Sequence, residues 1–520
     1  MHGKYYCRKV LFVYKIICYT KTETLQNYGY YKVQEIINKT LHEKLIELGN
    51  SDEYAFHMPG HKRNETQDSF MNIMKMDITE IKGFDNLHCP ENIIKNEQEF
   101  AAQLYGAEKT FFLINGSTCG ILAAICGTTN DNDTIIFARN SHKSAYHAMY
   151  LKGLRATYVY PQQTNVKSYI LGAISAADIE VAMEKSNAKV VFITSPTYEG
   201  VVSNIEKIAA VVHKRDGILI VDEAHGSHLG FHPDFPASAV KQGADIVIQS
   251  MHKTLPSLTQ TALLHICSNK AMQSRVKEYL QIFQTSSPSY VLMASMTRCL
   301  HMLHGHGKDY FNKYQEHLQN FYKKATELQK LFVLHKDYVS EQFHADWDAS
   351  KIVICADGLT DRKGVPYRGK ELAKDLLEKY RLQMEMISEN YVLAMTSIYD
   401  TEEGFDRLLH ALKEIDKTLC HKNELAKAYI NYAEKTAGNA ELSIKVAIEG
   451  KQKKILWKDG IGEISAEYIY LYPPGSPILV PGEKITEEVW KKIEKYKEIG
   501  LNIQGPSDPL LNEIYIAITS

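Results

Sequence analysis

Ser250-Met251-His252-Lys253 sets a hydroxyl, an imidazole and an amine within four positions, directly after the apolar run at 246–248. A lysine normally keeps its ammonium in water. Where a fold buries it, its pKa falls and the free amine becomes a nucleophile toward an aldehyde. Ser250 and His252 beside it offer hydrogen bonds to a phosphate. Asp222 ends a second apolar run, 217–221, one helix-and-strand unit upstream. A carboxylate there suits a protonated pyridine nitrogen, because pyridoxal phosphate takes up electrons only while that nitrogen keeps its proton. Asn115-Gly116-Ser117-Thr118 opens a helix, where free N–H groups, the positive dipole end and two hydroxyls bind phosphate. His142 has a ring to lay flat on a heterocycle, and His225 stands in the same stretch as Asp222. Each residue also has a plainer use: a surface-loop lysine, a capping aspartate, N-cap hydroxyls, structural histidines. Together they cover a cofactor's phosphate, ring face, ring nitrogen and aldehyde.

The elements that must position these groups alternate regularly. Apolar runs at 110–114, 133–138, 156–160, 190–194 and 217–221 read as strands, with helices between them. This rhythm predicts a mostly parallel α/β sheet with helices on both faces, and such sheets bind ligands beyond the carboxyl ends of their strands. The polar clusters at 115–118, 140–142, 195–198, 222–225 and 250–253 all fall at such ends. Downstream, a long charged helix is expected over 310–335. Strands at 351–356, 382–387 and 391–397 with helices at 369–380 and 402–416 then make a smaller α+β domain. Upstream, 31–48 reads as an amphipathic helix. Phe56-His57-Met58-Pro59-Gly60-His61-Lys62-Arg63 is a turn that either faces solvent or faces a substrate. Near the end, Pro473-Pro474-Gly475 and Pro481-Gly482 flank an apolar stretch and present Glu483 either on a plain turn or to a ligand.

The 520 residues are 44% hydrophobic and 23% charged, with a formal net charge of −2. That balance gives no global basic field for nucleic acid or an anionic membrane. Nine cysteines without a C-x-x-C pair indicate neither a zinc site nor a disulfide framework, and they fit a reducing cytoplasm. Lys4, Arg8 and Lys9 precede a short apolar run, but Lys15 interrupts it well before the ~20 residues of a membrane span. No export signal is expected. His301, His304 and His306 suggest no metal site; beside Gly305 and Gly307 they are expected at the C-terminal end of a helix. No dinucleotide, P-loop, zinc-protease or serine-hydrolase motif stands where it would matter.

As an ordered set, FHMPGHKR, DITEIKGFDNLHCPEN, FFLINGSTCGILAAI, ARNSHKSAYHA, ITSPTYEGV, VDEAHGSHLGFH, QSMHKTLPSLTQTALLH, TSSPSYVLMASM and YPPGSPILVPGE are specific. The chain resembles the compact ornithine/lysine/arginine decarboxylases of pyridoxal phosphate fold type I, the aspartate-aminotransferase-like fold. The resemblance implies that Ser117, Thr118, Ser250 and His252 hold the cofactor's phosphate, His142 stacks on its ring, Asp222 pairs with its nitrogen and Lys253 forms the Schiff base, with His225 also at the cofactor. It further implies that Glu483 lies near the substrate's distal cation and that Ser286 and Ser287 approach the site of a neighbouring subunit in a homodimer with shared sites. Lys253 or His252 is the group expected to return a proton to the substrate carbon. The domain plan read from this is an unassigned extension (1–27), an N-terminal helix and active-site segment (28–95), a large cofactor domain (96–310), a small α+β domain (311–430) and a C-terminal portion (431–520). The implied activity is decarboxylation of a basic amino acid, arginine favoured over lysine or ornithine, by a cytoplasmic enzyme feeding polyamine synthesis. A same-fold aminotransferase and a non-catalytic regulatory relative stay open.

Overall fold

Apolar runs rich in Ile, Val, Leu and Phe form the middle of the large sheet in this computed structural model. The structure describes residues 51–57, 60, 62, 77–163, 170–421, 440–472 and 475–519. The extension 1–27, the helix expected over 31–48, and Met58, Pro59, His61, Arg63, Pro473 and Pro474 lie outside the described residues. The strands are β1 (Lys109–Leu113), β2 (Thr134–Ala138), β3 (Arg155–Val159), β4 (Val190–Thr194), β5 (Ile218–Asp222), β6 (Ile246–Gln249) and β7 (Ala262–Ile266). Their spatial order is β1-β7-β6-β5-β4-β2-β3. Only β7 runs antiparallel to its neighbours, so the other six strands all end at one edge.

Successive side chains of a strand point to opposite faces, and both faces are covered here. Ile135, Phe137, Phe192 and Ile220 pack with α2 (Gly116–Thr128) and α3 (Lys143–Lys152), which follow α1 (Ile93–Tyr105) in the chain. Ile136, Val191, Ile193 and Leu219 pack instead with α4 (Ala176–Ser186) and α5 (Ile205–Lys214). Beyond β6 the chain makes the single turn α6 (Met251–Thr254), and beyond β7 it forms α7 (Gln273–Phe283).

The charged helix differs from its expected span. It is α8, Tyr290–Ala325, and it runs straight through Gly305 and Gly307. The domain boundary expected at 310 therefore falls inside one helix. His301, His304 and His306 sit in its middle rather than at its end, with His301 Nε2 at 3.0 Å from the Glu97 carboxylate. Two glycines cost about 1 kcal/mol each against alanine, too little to break a helix whose buried stripe continues through Leu303, Phe311, Tyr314 and Leu318.

The smaller sheet joins β8 (Phe332–Val333), β9 (Lys351–Cys355), β10 (Met386–Ile387) and β11 (Tyr391–Met395) in the order β8-β9-β11-β10. Helices α9 (Gly369–Tyr380) and α10 (Glu402–Asp416) fall where the sequence placed them. The strand expected over 382–387 breaks at Glu385, because Leu382–Met384 pairs with Tyr54–Phe56 while β10 pairs with β11. The C-terminal residues form a three-stranded sheet, Ile469–Leu471, Pro477–Leu479 and Ile503–Gln504, backed by α11 (Glu487–Glu498). Among the described residues no helix is long and apolar enough to cross a membrane.

Candidate active site

The five polar clusters converge on one cavity of about 640 Å³ at the carboxyl edge of the large sheet. Gly116 starts α2, and its N–H is taken by the Gln260 carbonyl, which leaves the following turn facing the cavity. Ser117 Oγ lies 2.6 Å from Ser250 Oγ, and Thr118 is exposed on the same turn. Two hydroxyls beside the N–H groups of a helix start make a place for a phosphate. His252 turns its Nδ1 to the Thr261 carbonyl at 2.8 Å and lines the same cavity.

Lys253 Nζ stands 3.0 Å from His225 Nε2. Asp222, at the end of β5, is 3% exposed and accepts the Ala224 N–H at 3.1 Å. Burial drives both Lys253 and Asp222 toward their neutral forms, and their mutual attraction opposes this. Burial also pushes His142 down to about 3 and His252 to about 4, with the Lys253 charge adding to both shifts. His142 is thus a neutral ring, tied at Nδ1 to Ser144 Oγ at 2.8 Å.

Behind His225 lies a second lysine that the sequence reading missed. Lys351, fully buried at the start of β9, donates to the His225 carbonyl at 2.8 Å, Ser350 Oγ at 2.9 Å and Asp348 Oδ2 at 2.6 Å. Asp348 also meets His228 Nε2 at 3.0 Å. This network anchors the loop that carries His225 to the small sheet.

Glu483 does not face the cavity. It is 0% exposed, and Arg139 grips both its oxygens, Nε to Oε1 at 3.1 Å and Nη2 to Oε2 at 2.9 Å. The Val480 N–H also donates to Oε2 at 2.9 Å, so the carboxylate expected near a substrate's distal cation is held by Arg139 and its own loop. Ser286 and Ser287 are exposed on this chain and do not line its cavity. The carboxylates that do line it, besides Asp222, are Glu199 and Glu385. Glu385 had a sequence signal, a lone charge interrupting the apolar run 382–387.

The arrangement fits a phosphate-bearing aromatic aldehyde. Three buried polar atoms of cavity residues, Asn140 Oδ1, Thr194 Oγ1 and His225 Nδ1, have no hydrogen-bond partner. Buried polar atoms in a folded protein are nearly always paired, so the wall is shaped for a polar guest.

Comparison with known proteins identifies the family and the fold. The model of the Orn/Lys/Arg decarboxylase major domain matches residues 39–362, and that of the C-terminal domain matches 422–501. A Bacillus subtilis (strain 168) protein named "Uncharacterized protein YaaO" is 32% identical over 483 residues, covering 90% of this chain and 96% of its own. An arginine decarboxylase of Halalkalibacterium halodurans is 31% identical over 461 residues, covering 87% and 92%. Among solved structures, lysine decarboxylase A from Pseudomonas aeruginosa matches with a TM-score of 0.72 at 18% identity, covering 92% of this chain and 80% of that one. At that identity the likeness concerns the fold, and the fold is the aspartate-aminotransferase-like one expected from the sequence.

Proposed function

The chain belongs to the Orn/Lys/Arg decarboxylase family and is a carboxy-lyase, and on that footing we propose that it decarboxylates arginine, using pyridoxal phosphate. The observation that carries the reading is the meeting of Lys253, Asp222 and the Ser117–Ser250 hydroxyl pair around one cavity. When bound, pyridoxal phosphate supplies an aldehyde for an amine and a ring that takes up the electrons of the breaking bond. Ser117, Thr118, Ser250 and the first turn of α2 would hold its phosphate. His142 would face its ring, and Asp222 would keep a proton on its nitrogen.

With the cofactor bound, Lys253 would supply the amine that meets its aldehyde, and Nζ would hold a proton within the cavity. Burial keeps a fraction of that amine uncharged, which its attack on an aldehyde requires. His225 accepts from Nζ and steadies it, while His252 is the second group able to carry a proton at this wall. The amine left after CO₂ departs is the kind that polyamine synthesis consumes. Ser286 and Ser287, exposed on this chain, are assigned to the site of a second copy in a homodimer, and the enzyme is placed in the cytoplasm.

The test is direct. The full chain should show cofactor absorbance that shifts on adding arginine and is missing in Lys253→Ala. Amine and CO₂ should form in equal amounts with no keto acid, and arginine should outpace lysine and ornithine. CO₂ release that survived Lys253→Ala would end the assignment.

A further inference from the structure

Lys351, Asp348 and His228 form a cluster of titratable groups that the proposed chemistry does not use. All three are buried. Lys351 Nζ donates to Asp348 Oδ2 at 2.6 Å, and His228 Nε2 meets Asp348 Oδ1 at 3.0 Å. A methionine would fill the lysine's space without desolvating an ammonium, so stability alone is a weak reason for a cation here. What the cation reaches is the His225 carbonyl, at 2.8 Å. The residues on either side of His225 are tied to the end of β6: the Ser250 N–H donates to the Ala224 carbonyl at 3.3 Å, and Ser227 Oγ donates to the Ser250 carbonyl at 3.0 Å. His225 itself is tied to the small sheet. Its Nε2 lies 3.0 Å from Lys253 Nζ, while its Nδ1 has no hydrogen-bond partner. The ring is therefore oriented by its backbone and by the Tyr198 ring, centroids 4.4 Å apart, and not by a bond at Nδ1.

We propose that Lys351 is a positioning residue for Lys253: from the small sheet it fixes the His225 carbonyl, and so holds in place the ring whose Nε2 meets Nζ. The proposal rests on the reading above, in which Lys253 Nζ meets an aldehyde. It makes the seating of the small sheet against the large one a condition for the reacting lysine's hydrogen bond. The charged and titratable groups facing Lys253 are Asp222, Glu385, Lys351, His142, His225 and His252. Those facing Lys351 are Asp348, His225, His228, Lys62 and Lys253. Asp348 balances the Lys351 charge, so neutralising both leaves the net charge unchanged and separates position from field. A neutral imidazole accepting from Nζ favours the ammonium, and a ring no longer held there makes the lysine less basic.

The experiment uses the full chain freed of cofactor. Absorbance follows the pH midpoint of pyridoxal phosphate addition, in which Nζ bonds the aldehyde carbon and the aldehyde oxygen leaves as water; Lys253→Ala is the blank. Lys351→Met alone would strand the Asp348 carboxylate in the interior. It is therefore paired with Asp348→Asn, which keeps an acceptor for His228 and for the Ser350 N–H. The pair should move the midpoint down by about half to one pH unit, toward that of His225→Phe. Added to His225→Phe, it should move the midpoint no further. If the pair does not fold, Lys351→Arg replaces it with the same expected direction, since it keeps the charge and changes the donor geometry at the His225 carbonyl. A midpoint that stays or rises overturns the proposal, and so does a shift of the same size with and without the His225 ring. Addition shown equally by Lys253→Ala would overturn this proposal together with the reading it rests on. If wild type released no CO₂ from arginine, the functional reading alone would fail, because aldehyde addition at Lys253 needs no decarboxylation and would still decide the role of Lys351.

Discussion

Arg139 closes on Glu483 through two near-parallel hydrogen bonds, and neither side chain is more than 7% exposed. The same guanidinium donates to the carbonyls of Pro477 at 2.6 Å and Ile478 at 3.1 Å. One cation just past the end of β2 therefore fastens the C-terminal portion to the large sheet. That portion supplies Tyr472, Ser476 and Gln504 to the cavity wall.

Breaking this pair should cost stability rather than specificity. Removing one partner of a buried pair typically costs 3–5 kcal/mol, whereas an apolar replacement of both is far better tolerated. Glu483→Gln should lower unfolding stability by about that amount in denaturant titrations. The double variant Arg139→Met/Glu483→Leu should recover much of it. The kcat/KM ratio of arginine over citrulline, its uncharged isostere, should stay at the wild-type value, and a ratio that collapsed in Glu483→Gln would put the substrate's cation at this residue.

Replacing His225 with Phe should make Lys253 less basic. A neutral ring nitrogen accepting from Nζ at 3.0 Å favours the ammonium, so its removal shifts the lysine pKa further down. The pH dependence of aldehyde addition to the cofactor-free protein reads this shift. Movement toward higher pH would contradict the hydrogen bond's assigned sense.

Gly475 has φ +83°, and a Cβ there would lie 3.2 Å from His142 Cδ2 and 3.3 Å from its Nε2. Gly475→Ala should therefore cost about 1–2 kcal/mol for the left-handed backbone and push the His142 ring. Cofactor affinity should fall, measured by absorbance against added pyridoxal phosphate. Affinity equal to wild type would show that the loop yields instead of the ring.

His265 gives a pH signature outside the cavity. It is fully buried between Thr110 Oγ1 at 2.8 Å and Gln249 Oε1 at 3.1 Å, and burial pushes its pKa down to about 3. The unfolded chain binds this proton below about pH 6.5 and the folded chain does not, so the stabilisation is present above 6.5 and is lost as pH falls toward 3. His265→Gln should reduce the slope of unfolding free energy between pH 4 and 6 by about 1.4 kcal/mol per pH unit. An unchanged slope would mean that the ring is already charged in the fold.

Much of the site was legible because strand direction is fixed by chain connectivity. Parallel strands joined by right-handed crossovers must end on the same edge, so polar residues after 110–114, 190–194, 217–221 and 246–248 had to meet there. Helix stops were less legible. Gly305 and Gly307 are local signals, and the buried stripe of α8 outweighs them.

The sequence by itself determined the sheet and its ligand-binding edge, with Lys253 and Asp222 both at that edge, since each follows from local pattern and strand order. Only the tertiary structure decided which carboxylate faces the cavity. Glu483 is turned away by Arg139, a partner hundreds of positions upstream, and Glu385 is turned inward by a strand break that depends on pairing with Tyr54–Phe56 and β11. A side chain's facing is set by what lies across from it in space, and that information is not carried by its neighbours along the chain.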